Sequence, residues 1–214
     1  MPELVLCKIC QKRRARRFCP AVSGDICTIC CGTEREVSLT CPLNCEYLEE
    51  AHKREKPIDV PHGQLSNSDI RVTEEFLREH EELLLFSIYS LLEAALRTPG
   101  ANDSDVIAVL EALVQTHRTL ESGLFYETRP ESTVALNIHR LFTASLEDYQ
   151  KERKEREKLP DLRNSEILTV LVFLHRLGQQ NQNGKPRCRL FMDLLRRLTP
   201  DRGRVPEQSS SIII

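Results

Sequence analysis

Tryptophan is absent from the 214 residues, methionine occurs twice, and aromatic residues make up only 5%. So little ring area excludes the broad platforms on which sugars or successive bases stack. A charge excess of either sign is missing as well. Lys and Arg number 30 against 32 Asp and Glu, a formal net charge of −2, so the overall field does not suit a polyanion-coating role. No apolar run approaches the roughly 20 residues a membrane-spanning helix needs; the strongest, Leu83 to Leu92, ends against Glu82 and Glu93. Met1-Pro2-Glu3-Leu4-Val5-Leu6 has neither the basic start nor the apolar core of a secretion signal. The expectation is a cytoplasmic protein without membrane contact.

Cysteine is what the chain has in excess. Eight of the nine lie between Cys7 and Cys45, and Cys188 stands alone near the other end. In a reducing compartment a dense cluster of thiols reads as metal ligands rather than disulfides. The order is Cys7-x2-Cys10, Cys19-Pro20, Cys27-x2-Cys30-Cys31, Cys41-Pro42-x2-Cys45, with His52 seven residues later. A C-x2-C pair presents two sulfurs from one tight turn while backbone N–H groups point at them, and zinc takes four such ligands in a tetrahedron. Cys7, Cys10, Cys27 and Cys30 match the C-x2-C, spacer, C-x2-C arrangement of a zinc site. Cys19, Cys31, Cys41 and Cys45 remain for a second ion, giving two zinc ions in an interleaved module. Exchange of Cys30 with Cys31, or His52 in place of a thiol, is chemically sensible. A single zinc with spare thiols, an iron–sulfur cluster or redox thiols compete with this reading of the same residues.

The first 56 residues have few apolar side chains, and segments this small need staples. A structural zinc contributes about 10–16 kcal/mol of apparent binding free energy, so metal is the expected staple. The run Lys12-Arg13-Arg14-Ala15-Arg16-Arg17 carries the alternative of a nucleic-acid-contacting loop on Lys12, Arg13, Arg14, Arg16 and Arg17. Local charge argues for compensation instead. Through residue 56 there are ten Lys/Arg and eight Asp/Glu, while eight thiolates outweigh the charge of two zinc ions.

The cysteine spacing resembles cross-braced double-zinc fingers of the HIT, MYND and B-box group: Cys7-x2-Cys10, Arg17-Phe18-Cys19-Pro20 and the late His52 carry the likeness. The resemblance implies two zincs fixing a small adaptor surface. The combination Ile-Cys-x2-Cys-Cys-Gly-Thr-x-Arg-Glu and Cys-Pro-x2-Cys-x-Tyr-Leu ahead of a helical domain is also similar to prokaryotic proteins that join such a module to helices.

Beyond Lys56, two prolines and a glycine up to Gly63 suit an extended connector over residues 57–68. Helical periodicity then predicts a bundle of about five helices over 69–198. Glu74 to Arg97 reads as one long helix with Thr73 as N-cap; Asp103 to Glu121 follows, with Val106, Val109, Leu110, Leu113, His117 and Leu120 as its stripe. A third helix is expected over 131–158, a nearly all-apolar fourth from Asn164 or Ser165 to Gly178, and a short fifth carrying Cys188, Phe191, Met192, Leu195 and Leu198. The tail over 199–214, which ends in Ile212-Ile213-Ile214, is expected to be disordered. The fold class is thus mainly α, a small cysteine-rich zinc module followed by a helical bundle.

Other candidates have simpler readings. Asn102-Asp103-Ser104-Asp105 lacks the glycine and distal glutamate of a calcium loop and reads as a helix cap. His117 and His175 fall on apolar stripes and read as hydrogen-bonded core residues, and Cys188 as packing. The loop Leu124 to Pro130, with Phe125 and Tyr126, is expected to pack across the bundle, with a partner groove as the alternative. No phosphate loop, nucleophile elbow or metalloprotease helix is present, and no small-molecule substrate is evident. The expectation is a non-catalytic, zinc-binding adaptor for a protein partner. Alternatives are a nucleic-acid or transcription-associated regulator and a redox-sensing thiol or metal protein.

Overall fold

The computed structural model describes residues 5–58, 60–61, 65–156 and 161–199. The order is β1 (Arg17–Cys19), β2 (Gly24–Ile26), α1 (Thr28–Glu34), α2 (Glu46–His52), α3 (Glu74–Glu79), α4 (Glu81–Leu96), α5 (Asp103–Glu121), α6 (Thr133–Arg156), α7 (Asn164–Gln180) and α8 (Leu190–Leu198). The molecule is mainly helical, with a two-stranded antiparallel sheet in which Phe18 lies opposite Asp25. The expected tail from Pro200 onward, Ile212 to Ile214 included, lies outside the described residues. No helix among the described residues is long and apolar enough to cross a membrane.

The stripe predicted on α5 is buried through Val106, Val109, Leu110 and Leu113 against α7 and α6, and ends in the exposed Leu120. The apolar face of α7 is buried through Ile167, Leu168, Val170, Leu171, Val172 and Leu174, as expected of a helix covered on several sides. Asn102 does cap α5. Its side-chain oxygen accepts from the N–H groups of Ser104 (2.9 Å) and Asp105, and Asp105 reciprocates at the Asn102 N–H, a capping box.

Three expectations change. The helix expected over Glu74 to Arg97 is two helices, because His80 leaves the helical region (φ −112°, ψ 28°). Its ring stacks on Phe76 at 4.2 Å, its Nδ1 lies 2.9 Å from the Phe76 carbonyl, and its Nε2 reaches Glu166 of α7. A tertiary contact with Glu166 and a local carbonyl thus hold the break. Cys188 precedes the last helix rather than lying on it. The start of α8 is set by buried Asp103, whose carboxylate accepts from the N–H groups of Phe191 (2.8 Å) and Met192 (3.0 Å), satisfying donors that a helix leaves unpaired. Burial outweighs those bonds and pushes the Asp103 carboxyl up to about 7. The loop after α5 does not bury its aromatic pair. Thr116 and Thr119 hydroxyls hold its backbone at Thr128 and Tyr126, while Phe125 is 87% and Tyr126 68% exposed.

Close packing at one glycine yields a stability prediction. A Cβ on Gly178 would come within 2.9 Å of Ile107 Cγ1 and 3.0 Å of the Phe191 ring. Gly178→Ala should therefore separate α7 from α5 and α8 and cost about 1–3 kcal/mol by overpacking. Urea melts check this. Alanine's higher helix propensity predicts the opposite sign, so a stabilised variant would mean that the packing yields.

The cysteine-rich segment is not a free appendage. Cys41, Leu43 and Leu48 belong to the same apolar core as α4–α8, whereas Cys7, Cys19, Ile26, Cys27, Cys30 and Cys31 form a second cluster. The connector is tied down too. Arg176 of α7 donates to the carbonyls of Ser66, Asn67 and Ile70, and Ile58 N–H donates to the Gln182 carbonyl at 2.8 Å.

Candidate metal centre

Two short loops build the thiol site. In the first, Gln11 N–H donates to the Cys7 carbonyl at 2.8 Å, closing a turn that Gln11 leaves with φ 51°. In the second, Cys27 caps α1, and the Cys30 N–H points at the Cys27 sulfur at 3.4 Å. Cys7 N–H bonds the Arg13 carbonyl and Lys8 N–H the Asp25 carbonyl, which clamps the first loop onto the sheet and so onto the second loop. The sulfurs of Cys7, Cys10, Cys27 and Cys30 consequently lie within 4.8 Å of one another, and all nine cysteines are free. Four thiols at this separation could hold one metal ion, and the set is the one that the spacing singles out.

The electrostatics fit a cation. Burial pushes the Cys7 thiol up, but the N–H groups of Cys10, Cys27 and Ile9 more than reverse it, to about 6. The N–H groups of Lys12 and Arg13 lower Cys10. Cys30 is pushed up to about 12 by burial and by its sulfur neighbours. Negative charge that two sulfurs accept is refused by the next, and a divalent ion removes that conflict by displacing the protons. Arg13 adds charge from outside, since its guanidinium bonds the Cys27 sulfur and faces Cys10 and Cys30.

The other four thiols are less gathered. Cys19 ends β1, Cys31 lies on α1, Cys41 sits in the loop before α2, and Cys45 caps α2. No three of them meet within the distance that unites the first set. They still face one another: burial raises Cys19, and the charges of Cys31 and Cys45 add to the rise. Burial likewise lifts Cys41 to about 11, with Cys45 and Cys19 contributing. The Cys31 sulfur is met by Arg17 Nη1 at 3.7 Å and Arg35 Nη2 at 3.5 Å.

His52 does not join the thiols. It is buried between two carboxylates, with Nε2 3.0 Å from Glu36 and Nδ1 3.2 Å from Asp193. Both ring nitrogens must donate, so the ring is an imidazolium. Burial works against that charge, yet Asp193 and Glu36 raise His52 to about 9, and both carboxyls are held low in return. Glu36 is left-handed (φ 57°), a conformation that costs a non-glycine residue about 1 kcal/mol. Its carboxylate also takes the N–H of Arg189 (2.7 Å) and the amide of Asn183 (2.9 Å). Glu36, His52 and Glu55 have ligand atoms close enough for an ion. The Lys185 ammonium already bridges Glu36 and Glu55, and Asn183 donates to both.

Sequence reasoning missed this cluster because Asp193 stands 141 residues from His52. Nothing in the spacing of Glu36, His52, Asn183 and Asp193 pairs them. His117 bonds Asn164, whereas buried His175 Nδ1 finds no partner among the described residues. Burial raises the Cys188 thiol, which fits a packing role. Comparison with known families, curated proteins and solved structures finds no match to this chain. Its class therefore rests on its own features: a mainly helical protein with a four-cysteine possible metal site at its amino-terminal end.

Proposed function

We propose that the chain is a non-catalytic interaction adaptor in which structural zinc shapes the amino-terminal segment and the helices offer a docking surface. The gathering of Cys7, Cys10, Cys27 and Cys30 carries this reading. Four thiolates complete zinc's tetrahedron and leave no position for substrate, whereas a catalytic zinc keeps one open. Cys19, Cys31, Cys41 and Cys45 would hold the second zinc, with Arg17 and Arg35 supplying positive charge at Cys31. The exposed Leu124, Phe125 and Tyr126, on a loop whose backbone is pinned to α5, support docking of a protein partner. The expected setting is the cytoplasm.

Cobalt substitution tests the closed sites. Two Co²⁺ per chain with tetrahedral thiolate spectra, unchanged by cyanide, are expected. A spectral change on adding cyanide reveals an open position and overturns the non-catalytic reading; one ion per chain removes the second site. Zinc release by dilute peroxide would move the assignment to redox sensing. For the docking surface, a photo-crosslinker at position 125 should trap a protein in cells, and one at position 140 on α6 should not. Equal yields would dismiss the aromatic loop.

A further inference from the structure

The basic run between Cys10 and Cys19 divides by parity. Arg13 and Arg17 turn toward sulfur, Arg13 at Cys27 and Arg17 at Cys31, and the Arg17 guanidinium lies 4.0 Å over the Tyr47 ring. From Arg14 the backbone runs extended into β1. It is held by a bridge to Leu6, by Ala15 N–H on the Val5 carbonyl and by Arg16 N–H on the Ile26 carbonyl. Alternate residues of an extended chain face opposite ways. Arg14, Arg16 and Phe18 therefore share the face away from the thiols, where all three are exposed and Phe18 is 60% so.

These side chains are unspent. Among the described residues Arg14 and Arg16 make no side-chain hydrogen bond or ion pair, whereas Lys53, Arg78, Arg97, Arg118 and Arg129 each meet a carboxylate. They line an open depression with Val5, Ala15, Arg17, Phe18 and a single acid, Asp25, and Arg17 keeps its guanidinium on Cys31 and Tyr47. We propose that this face binds single-stranded nucleic acid, with neighbouring backbone phosphates on Arg14 and Arg16 and one base stacked on Phe18. Two residues of extended strand advance about 6.7 Å, enough to serve consecutive phosphates of an extended strand, and the guanidinium fork suits phosphate oxygens. Stacking on a ring needs an unpaired base, and no helix projects here to enter a duplex groove. One ring is not a broad platform, so the contact is short, and it goes beyond the adaptor reading.

Fluorescence anisotropy of labelled dT12 and U12 with the zinc-loaded full chain tests this. Two phosphate contacts predict a log–log salt slope of about −1.4, about sevenfold weaker binding at 200 than at 50 mM salt. The double variant Arg14→Ala, Arg16→Ala should lose at least tenfold and flatten the slope. Phe18→Ala should weaken binding about tenfold with the slope retained, a separation that loss of folding would not produce. The charge-preserving pair Arg14→Lys, Arg16→Lys should keep the slope, and zinc content reports that each variant is folded. The proposal is overturned if dT12 and U12 fail to bind at 50 mM salt, or if the double alanine variant binds like the parent. It is also overturned if a glutamate 12-mer displaces dT12 as well as unlabelled dT12 does, which would make the face a receptor for acidic peptides.

Discussion

On the zinc reading proposed above, Cys27→Ser should cost the chain one bound ion and the order of the segment from Cys7 to about Glu34, while the helical core survives. The size of the effect follows from what holds that segment. Its own apolar cluster consists largely of the cysteines themselves, with Ile26 the one fully buried non-cysteine side chain. A structural zinc is worth about 10–16 kcal/mol of apparent binding free energy, against about 5–15 kcal/mol for the whole stability of a typical domain. Three remaining thiols around a buried ion cannot recover this. The Cys41–Leu48 stretch is packed into the helical core, so disorder should stop before it. Native mass spectrometry should show one ion fewer than the parent, and limited proteolysis should cut inside residues 7–34. Chelation of the parent should reproduce the same cuts, and Cys188→Ser, outside the four-thiol group, should retain every ion. A Cys27→Ser chain with full zinc content and parental protease resistance would end the structural-metal account.

His52→Asn should be the most damaging substitution outside the thiols. The imidazolium bonds Glu36 and Asp193 at once, with Lys185 and Arg196 as their further cations, in a place where both carboxylates are nearly solvent-free. Breaking a buried ion pair by removing one partner costs about 3–5 kcal/mol, because the charges left behind stay buried. In a chain of this length that corresponds to a melting temperature about 10 °C lower. The pH dependence has a definite sign. The folded value of His52, about 9, lies above its usual 6.5, so the folded state holds the extra proton. This stabilisation is fully present below about pH 6.5 and is lost as pH rises through 9. Melts of zinc-loaded parent and variant at pH 6, 8 and 10 should show the difference between them shrinking at the alkaline end. A constant difference would mean that His52 binds its proton no more tightly in the fold than in the unfolded chain.

The metal set was legible because it is local. Cys7 with Cys10, and Cys27 with Cys30, each fit a tight turn whose N–H groups aim at sulfur, and chemistry alone makes a fourfold thiol group a metal candidate. The helices were legible for a similar reason: Asn102 announces α5, and the apolar periodicity of α5 and α7 gives their buried faces. The break at His80 was not, because it depends on Glu166, 86 positions later. Nor was the outward turn of Phe125, since the loop's backbone is fixed by two threonine hydroxyls on α5 that the sequence pattern does not pair with it.

Residue types and short spacings by themselves determined a mainly helical chain, its start and stop signals, and a cysteine group suited to a metal ion, since turns and caps act over a few residues. Tertiary structure alone decided that Glu36, His52 and Asp193 meet, that the later half of the cysteine-rich segment shares the helical core, and that the basic run splits into sulfur-facing and outward-facing halves. Those outcomes depend on burial, which brings distant charges into a medium where they must pair, and no spacing along the chain encodes which partner will be there.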